Sequence, residues 1–184
     1  PKLLKFSLLL DGLILLYIAV CVIFSNTMIY SHRQPIVRSP KDYGIAYEDI
    51  TFKSLDGIEL KGWYLPADSD KIIIMTHPFP FNRHGFLAKN QGLVTKIKSD
   101  VDLLKTADVL HRQGWGVLMF DFRNHGESGR GITAIGLNEY QDVAGAVQYI
   151  RSRPDLKNKQ IGMVSFCMGA NASIIALSKA KDVM

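Results

Sequence analysis

Only two cysteines occur in the 184 residues, Cys21 and Cys167. Cys21 falls inside a long apolar run and Cys167 in the globular part. They cannot pair, so no disulfide framework holds this fold. Basic residues are scattered, as in Lys96/Lys98, Lys157/Lys159 and Lys179/Lys181, and the formal net charge is only +5. No basic stretch is interleaved with aromatics, which argues against nucleic acid as a partner. Internal repeats and low-complexity tracts are also missing, so neither a solenoid nor a disordered tail is expected. The five histidines all precede Cys167. His77, His84 and His125 lack the spacing of a metal site, so no metal and no cofactor is expected.

What remains is ordinary for one globular domain with an extra apolar segment: 47% apolar and 21% charged residues. The extra segment runs from Phe6 to Phe24. As a helix it would span ~28 Å, close to the thickness of a bilayer core. Asp11 and Gly12 interrupt it near one end. Lys2 and Lys5 precede it, and Tyr17 and Tyr30 suit interfacial anchoring. A cleaved signal peptide is the rival reading. After Phe24 the chain reads Ser25-Asn26-Thr27-Met28-Ile29-Tyr30, without the small-residue cleavage pattern, which favours an uncleaved single-pass anchor. Both flanks carry positive charge, through Lys2 and Lys5 on one side and His32, Arg33, Arg38 and Lys41 on the other. A very short basic tail held inside places the domain on the non-cytoplasmic side. Residues 1–30 therefore read as an anchor and 31–46 as an extended linker with Pro35 and Pro40. Residues 47–184 read as the domain.

Within the domain, Tyr47–Lys53 and Ile58–Leu65 alternate as strands around an Asp56-Gly57 turn, an antiparallel hairpin. Lys71–Thr76 is a short apolar run of the kind buried on both faces of a sheet, and Trp115–Phe120 is a second. The stretch from His77 to about Lys98 has no clear period and reads as a long excursion at the sheet's edge, a lid or partner loop. Asp100 is placed to cap a helix running to Gln113, and Asn138 to cap the next, with Tyr140, Val143, Ala144, Val147 and Ile150 at helical spacing. Alternating strands and helices predict an α/β fold with a mostly parallel sheet in three layers.

The chemistry centres on Ser165-Phe166-Cys167-Met168-Gly169. An apolar strand pattern from Gln160 turns there into an alanine-rich helix pattern. This is the layout of a nucleophile elbow, with a thiol at the centre and Ser165 in place of the first glycine. A central residue in strained backbone needs small neighbours two positions away, which Ser165 and Gly169 supply. The helix that follows aims free N–H groups at the turn and favours a thiolate on Cys167.

From about Tyr47 to Leu177 the chain resembles the α/β-hydrolase family. His77-Pro78-Phe79 stands where the family has its His-Gly-x turn. Asp121-Phe122-Arg123-Asn124-His125-Gly126-Glu127-Ser128 looks like its D-x-R-G-H-G-x-S turn, and Ser165–Gly169 stands at its elbow. The apolar helix followed by the strand pair is similar to membrane-anchored members, and the elbow cysteine to the dienelactone-hydrolase branch. The resemblance implies that Cys167 attacks the carbonyl of a small acyl-type substrate. The backbone N–H groups of Met168 and Phe79 would receive the oxyanion. His77, Asp121, Arg123, His125, Ser165 and Gly169 would be supporting residues, with Asp121 and Arg123 forming a local ion pair or turn hydrogen bonds. In the family the catalytic acid and histidine follow the nucleophile; here no histidine does. Two expectations therefore stand. One is a hydrolase of ester, thioester or amide bonds, truncated after the elbow helix. The other is a silent hydrolase-like domain serving a membrane-protein partner. A sheet ending with the elbow strand would leave an apolar edge for further chain or a partner to cover.

Overall fold

The computed structural model describes residues 2–92 and 96–183. A long helix, α1 (Lys2–Ile29), leads into β1 (Glu48–Lys53), β2 (Glu59–Leu65) and β3 (Lys71–Thr76). A two-residue ribbon of β4 (Gly85–Phe86) and β5 (Val101–Asp102) follows, then α2 (Leu104–Arg112) and β6 (Gly116–Phe120). The remaining elements are α3 (Tyr140–Ser152), β7 (Gln160–Ser165) and α4 (Met168–Lys179). The main sheet has the order β1-β2-β6-β3-β7. β3 runs parallel to both β6 and β7, whereas β2 is antiparallel to β1 and β6. Only β2 therefore opposes the common direction.

Period-two alternation sorts the strands' side chains into two cores. Leu60, Ile72, Ile74, Leu118 and Phe120 face one way and pack on Val143, Val147 and Ile150 of α3 and on Ala172 and Ala176 of α4. Trp63, Leu65, Met75, Val117 and Met119 face the other way, onto Leu104 and Ala107 of α2 and onto Phe81 and Phe86. The result is the expected three-layer α/β arrangement. β7 forms one edge of the sheet, and its residues are only half-buried.

Several local expectations are corrected. The polar break at Asp11 and Gly12 does not end the helix: α1 is continuous, and the stretch Leu3–Ile29 is long and apolar enough to cross a membrane. The extended linker also packs on the domain. Ser31, Gln34 and Pro40 are buried against the domain, and a 3-10 turn spans Pro40–Tyr43. Asp100 does not cap α2, because the chain after it first pairs with Gly85–Phe86. Its carboxylate accepts the Ala88 amide instead, and Asp102 receives the Leu104 amide at 3.0 Å. Nor does the Asn138 side chain cap α3; it donates to the Ile132 carbonyl. The Glu139 carboxylate gathers the Ala134 and Gly136 amides. The first part of the excursion after His77 is packed into the domain, with Phe81, Arg83, His84 and Phe86 all buried, while Lys89, Lys96 and Lys98 further on are exposed. Its central residues, 93–95, lie outside the described residues.

Candidate active site at the strand-end rim

Parallel strands deliver their following loops to one end of a sheet. β3 leads into His77-Pro78-Phe79, β6 into Asp121–Gly129 and β7 into Phe166-Cys167. The registers Met75↔Met119 and Thr76↔Ser165 bring all three exits to a common rim.

At the last exit Cys167 has φ 49° and ψ −113°, and it is exposed. A positive φ costs a side-chain-bearing residue on the order of 1–3 kcal/mol, so the surrounding structure must enforce it. The enforcement is visible. The Phe166 amide continues the ladder to the Thr76 carbonyl at 3.3 Å, and the Gly169 amide folds back onto the Phe166 carbonyl at 2.8 Å. A Cβ on Gly169 would lie 2.3 Å from the Thr76 hydroxyl and 3.0 Å from the His77 carbonyl, so only glycine lets the helix press this close to β3. Ser165 fits where a glycine is usual, and its hydroxyl pairs with that of Ser173 at 2.8 Å, tying strand to helix. Buried Met168 and Ala172 seat the first turns of α4 in the core. Met168 opens that helix, so its amide has no partner within it. Among the described residues no side chain or loop carbonyl accepts from the amide of Met168 or of Phe79.

Of the other predicted site residues, His77 and His125 are buried and fully engaged. His77 accepts the Phe122 amide on Nε2 at 3.0 Å, so it carries its proton on Nδ1, which donates to the Pro78 carbonyl. Nδ1 of His125 faces the Arg123 carbonyl at 2.9 Å and its Nε2 faces the Ser31 hydroxyl at 3.3 Å. Burial holds the His77 imidazole well below the ordinary histidine range and brings His125 down to about 4. Both rings are neutral supports of the rim, and neither has a nitrogen left for Cys167.

Asp121 and Arg123 do not pair with each other. Both lie in the turn that follows β6, which carries the two side chains to different partners. Asp121 pairs with Arg83 Nη1 and accepts the Arg83 and Glu127 amides at 2.7 and 2.9 Å. Burial pushes its carboxyl up, while the Arg83 charge and the two amides oppose that. Arg83 also pairs with Glu127 and lies 4.3 Å from the centre of the Trp63 ring. Arg123 reaches Asp142 at 2.7 Å and Asp56 at 2.8 Å. Burial disfavours the Arg123 charge, but the two carboxylates outweigh it and raise its pKa; burial brings Asp142 up to about 6. Asn124, where the hydrolase pattern has glycine, has φ 65°, a conformation that asparagine tolerates better than most residues.

Arg83, Asp142, Asp56 in its ion-pairing role, and Ser31 were not legible as parts of this rim. The available hint was composition: an arginine in an unpatterned loop and an aspartate on the apolar side of α3. Among the described residues, no group of three His, Cys, Asp or Glu side chains could hold a metal. A cavity of about 540 Å³ opens between α3, β7 and α4, lined by Val147, Ile161, Met163, Ser165, Ser173 and Leu177 among others.

Known proteins share this arrangement. The uncharacterized protein YqkD of Bacillus subtilis is 24% identical over 174 residues, covering 93% of this chain and 54% of its own length. The thiohydrolase aneE of Aspergillus aculeatus is 27% identical over 121 residues, covering 64% of this chain and 33% of that protein. The structure of the Pyrococcus furiosus esterase Pf2001 superposes with a TM-score of 0.67 at 30% identity, covering 82% of this chain and 54% of that one. The chain thus spans about half the length of the first two structural and curated relatives, or less. A family model for the alpha/beta hydrolase fold matches residues 84–184, more than half of the chain. This protein therefore belongs to the α/β-hydrolase fold family.

Proposed function

We propose that this protein is a membrane-anchored hydrolase of ester, thioester or amide bonds, and that Cys167 is its nucleophile. The observation that carries the reading is the Cys167 corner, an exposed thiol at φ 49° in front of a helix N-terminus. That geometry matches a nucleophile elbow. The Cys167 thiolate attacks the substrate carbonyl, and the negative oxygen that develops takes hydrogen bonds from the Met168 and Phe79 amides. Donors of this kind are each worth on the order of 3 kcal/mol in the transition state. The tetrahedral adduct collapses with loss of an alcohol, thiol or amine, which takes back from solvent the proton that the Cys167 thiol released on forming the thiolate. Water then cleaves the acyl-thioester, returning the acid and the thiol. An esterase and a thiohydrolase among the similar proteins support the substrate class. The helix α1 supplies the anchor, with residues 6–24 in the lipid bilayer and the domain on the non-cytoplasmic side.

The test is acyl transfer. Incubating the full-length folded protein with an activated long-chain thioester should add one acyl group, located on Cys167 by peptide mass. Cys167→Ala should abolish the adduct. A folded protein that neither acquires the adduct nor hydrolyses the thioester overturns the enzyme reading. In the second reading the domain is a silent hydrolase-like subunit that serves a membrane-protein partner.

A further inference from the structure

The end of α1 is fastened to the rim that carries Cys167. The Ile29 carbonyl, at the last turn of the helix, accepts the Thr133 amide at 3.1 Å and the Asn124 side-chain amide at 3.1 Å. Two residues on, the Ser31 hydroxyl meets His125, and Arg33 donates to the Gly126 carbonyl. The Gln34 and Pro35 carbonyls hold the Asn82 side chain. All of these acceptors and donors belong to the loops that leave the strand ends. The apolar stretch itself is 0% buried in the protein, so α1 leaves the domain from this rim and does not lie along it.

Distances along the helix set the depth. From Leu3 to Phe24 the apolar run covers ~33 Å, enough for a bilayer core. From Phe24 to the fastened Ile29 is only ~8 Å further, about the thickness of one headgroup layer. The loop between Gly129 and Tyr140 bears this out chemically. It links the foot of α1, through Thr133, to the first turns of α4, where Asn171 donates to the Ile135 carbonyl and Gly136 packs on Asn171. Yet it exposes Ile132 (51%), Ile135 (40%) and Leu137 (62%). Exposed Arg130 adjoins them, and its charge bears on Arg33. Apolar tips flanked by cations suit the boundary between acyl chains and anionic headgroups.

We infer that the rim faces the bilayer, that Ile132, Ile135 and Leu137 dip into its surface, and that Cys167 acts on acyl lipids whose chains stay in the membrane. The substrate half of this inference rests on the proposed hydrolase reading; the orientation half does not. A lipid ester carries its carbonyl near the headgroup boundary, the depth at which α1 holds the rim.

The experiment has two arms. In the first, Leu137→Cys or Asp68→Cys is introduced into full-length protein carrying Cys21→Ser and Cys167→Ser, labelled with a fluorophore and reconstituted in phosphatidylcholine–phosphatidylserine vesicles. Asp68 is exposed in the turn before β3, at the far end of the strands. Lipids bearing a nitroxide near the headgroup should quench the Leu137 label several-fold more than the Asp68 label. Equal quenching overturns the orientation, and points to a protein partner for the apolar tips. Ile132→Cys repeats the reading independently should Leu137→Cys fold poorly. In the second arm Cys167 is intact. Leu137→Asp should cut hydrolysis of a long-chain ester held in vesicles by about tenfold while leaving a short water-soluble ester nearly untouched. Equal loss on both esters, or on neither, overturns the lipid substrate. Turnover of neither ester by the parent protein, with Leu137 still quenched, defeats the hydrolase reading alone.

Discussion

Among the described residues Asn124, in the turn after β6, and Cys167, at the corner after β7, both hold a positive φ, and they use it differently. After β6, Asn124 at φ 65° is buried, and its side-chain amide is bonded to the Ile29 carbonyl and the Thr133 hydroxyl. After β7, Cys167 at φ 49° is exposed. The first turn is surrounded by ion pairs and buried rings, and its strained residue is one more brace. The second lifts an exposed thiol clear of the sheet. Polar residues concentrated at a rim are therefore poor guides to chemistry. The buried, satisfied ones hold the loops, and the exposed, strained one is the candidate for reaction.

The sharpest way to break this contrast is through the braces. Arg123→Ala would leave Asp142, fully buried, without its cation. The expected loss is about 3–5 kcal/mol of stability, measured by urea unfolding of the detergent-solubilised protein. A loss below about 1 kcal/mol, the worth of a surface pair, would show that the turn is not braced as described.

Next in size is a pH effect at His125. Its pKa falls from 6.5 in the unfolded chain to about 4 when folded, chiefly through burial. Between these values the unfolded chain binds the proton and the folded protein does not. The contribution of this group is therefore fully present above pH 6.5 and is lost as the pH falls toward 4. It amounts to about 3 kcal/mol. Compared with His125→Gln, the parent protein should lose that much more stability between pH 7 and pH 4. Parallel pH profiles would show that the imidazole is not held neutral by burial.

The smallest effect tests the other corner. Cys167→Gly relieves the positive φ at a modest entropic cost in the unfolded chain, so it should stabilise the fold by about 1 kcal/mol. The same change at Asn124 should destabilise, because two hydrogen bonds go with the side chain. Matching signs at the two positions would dissolve the distinction between brace and presented thiol.

Much of this could be read along the chain. The runs Lys71–Thr76 and Trp115–Phe120 announced buried strands, and the small residues around Cys167 announced a tight corner, because these features depend on near neighbours. The start of α2 was misplaced because Val101 and Asp102 are claimed by β4, well back in the chain. The cap expected of Asn138 did not form because its side chain is drawn to the Ile132 carbonyl, and the neighbouring Glu139 carboxylate turns back to two loop amides. The partnership of Asp121 with Arg83 spans 38 positions and that of Ser31 with His125 spans 94, and no periodicity carries such information.

By itself the sequence determined the alternation of strands and helices, the long apolar helix and the placing of a thiol between a strand and a helix. Those follow from side-chain size, branching and spacing, which act within a few residues. Only the tertiary structure decided which of several like charges pair, which histidines lose their free nitrogens, and that the foot of α1 lands on the rim holding Cys167. Charge and hydrogen-bond partners are chosen by distance in space, and that distance exists only once the sheet has gathered its strand ends.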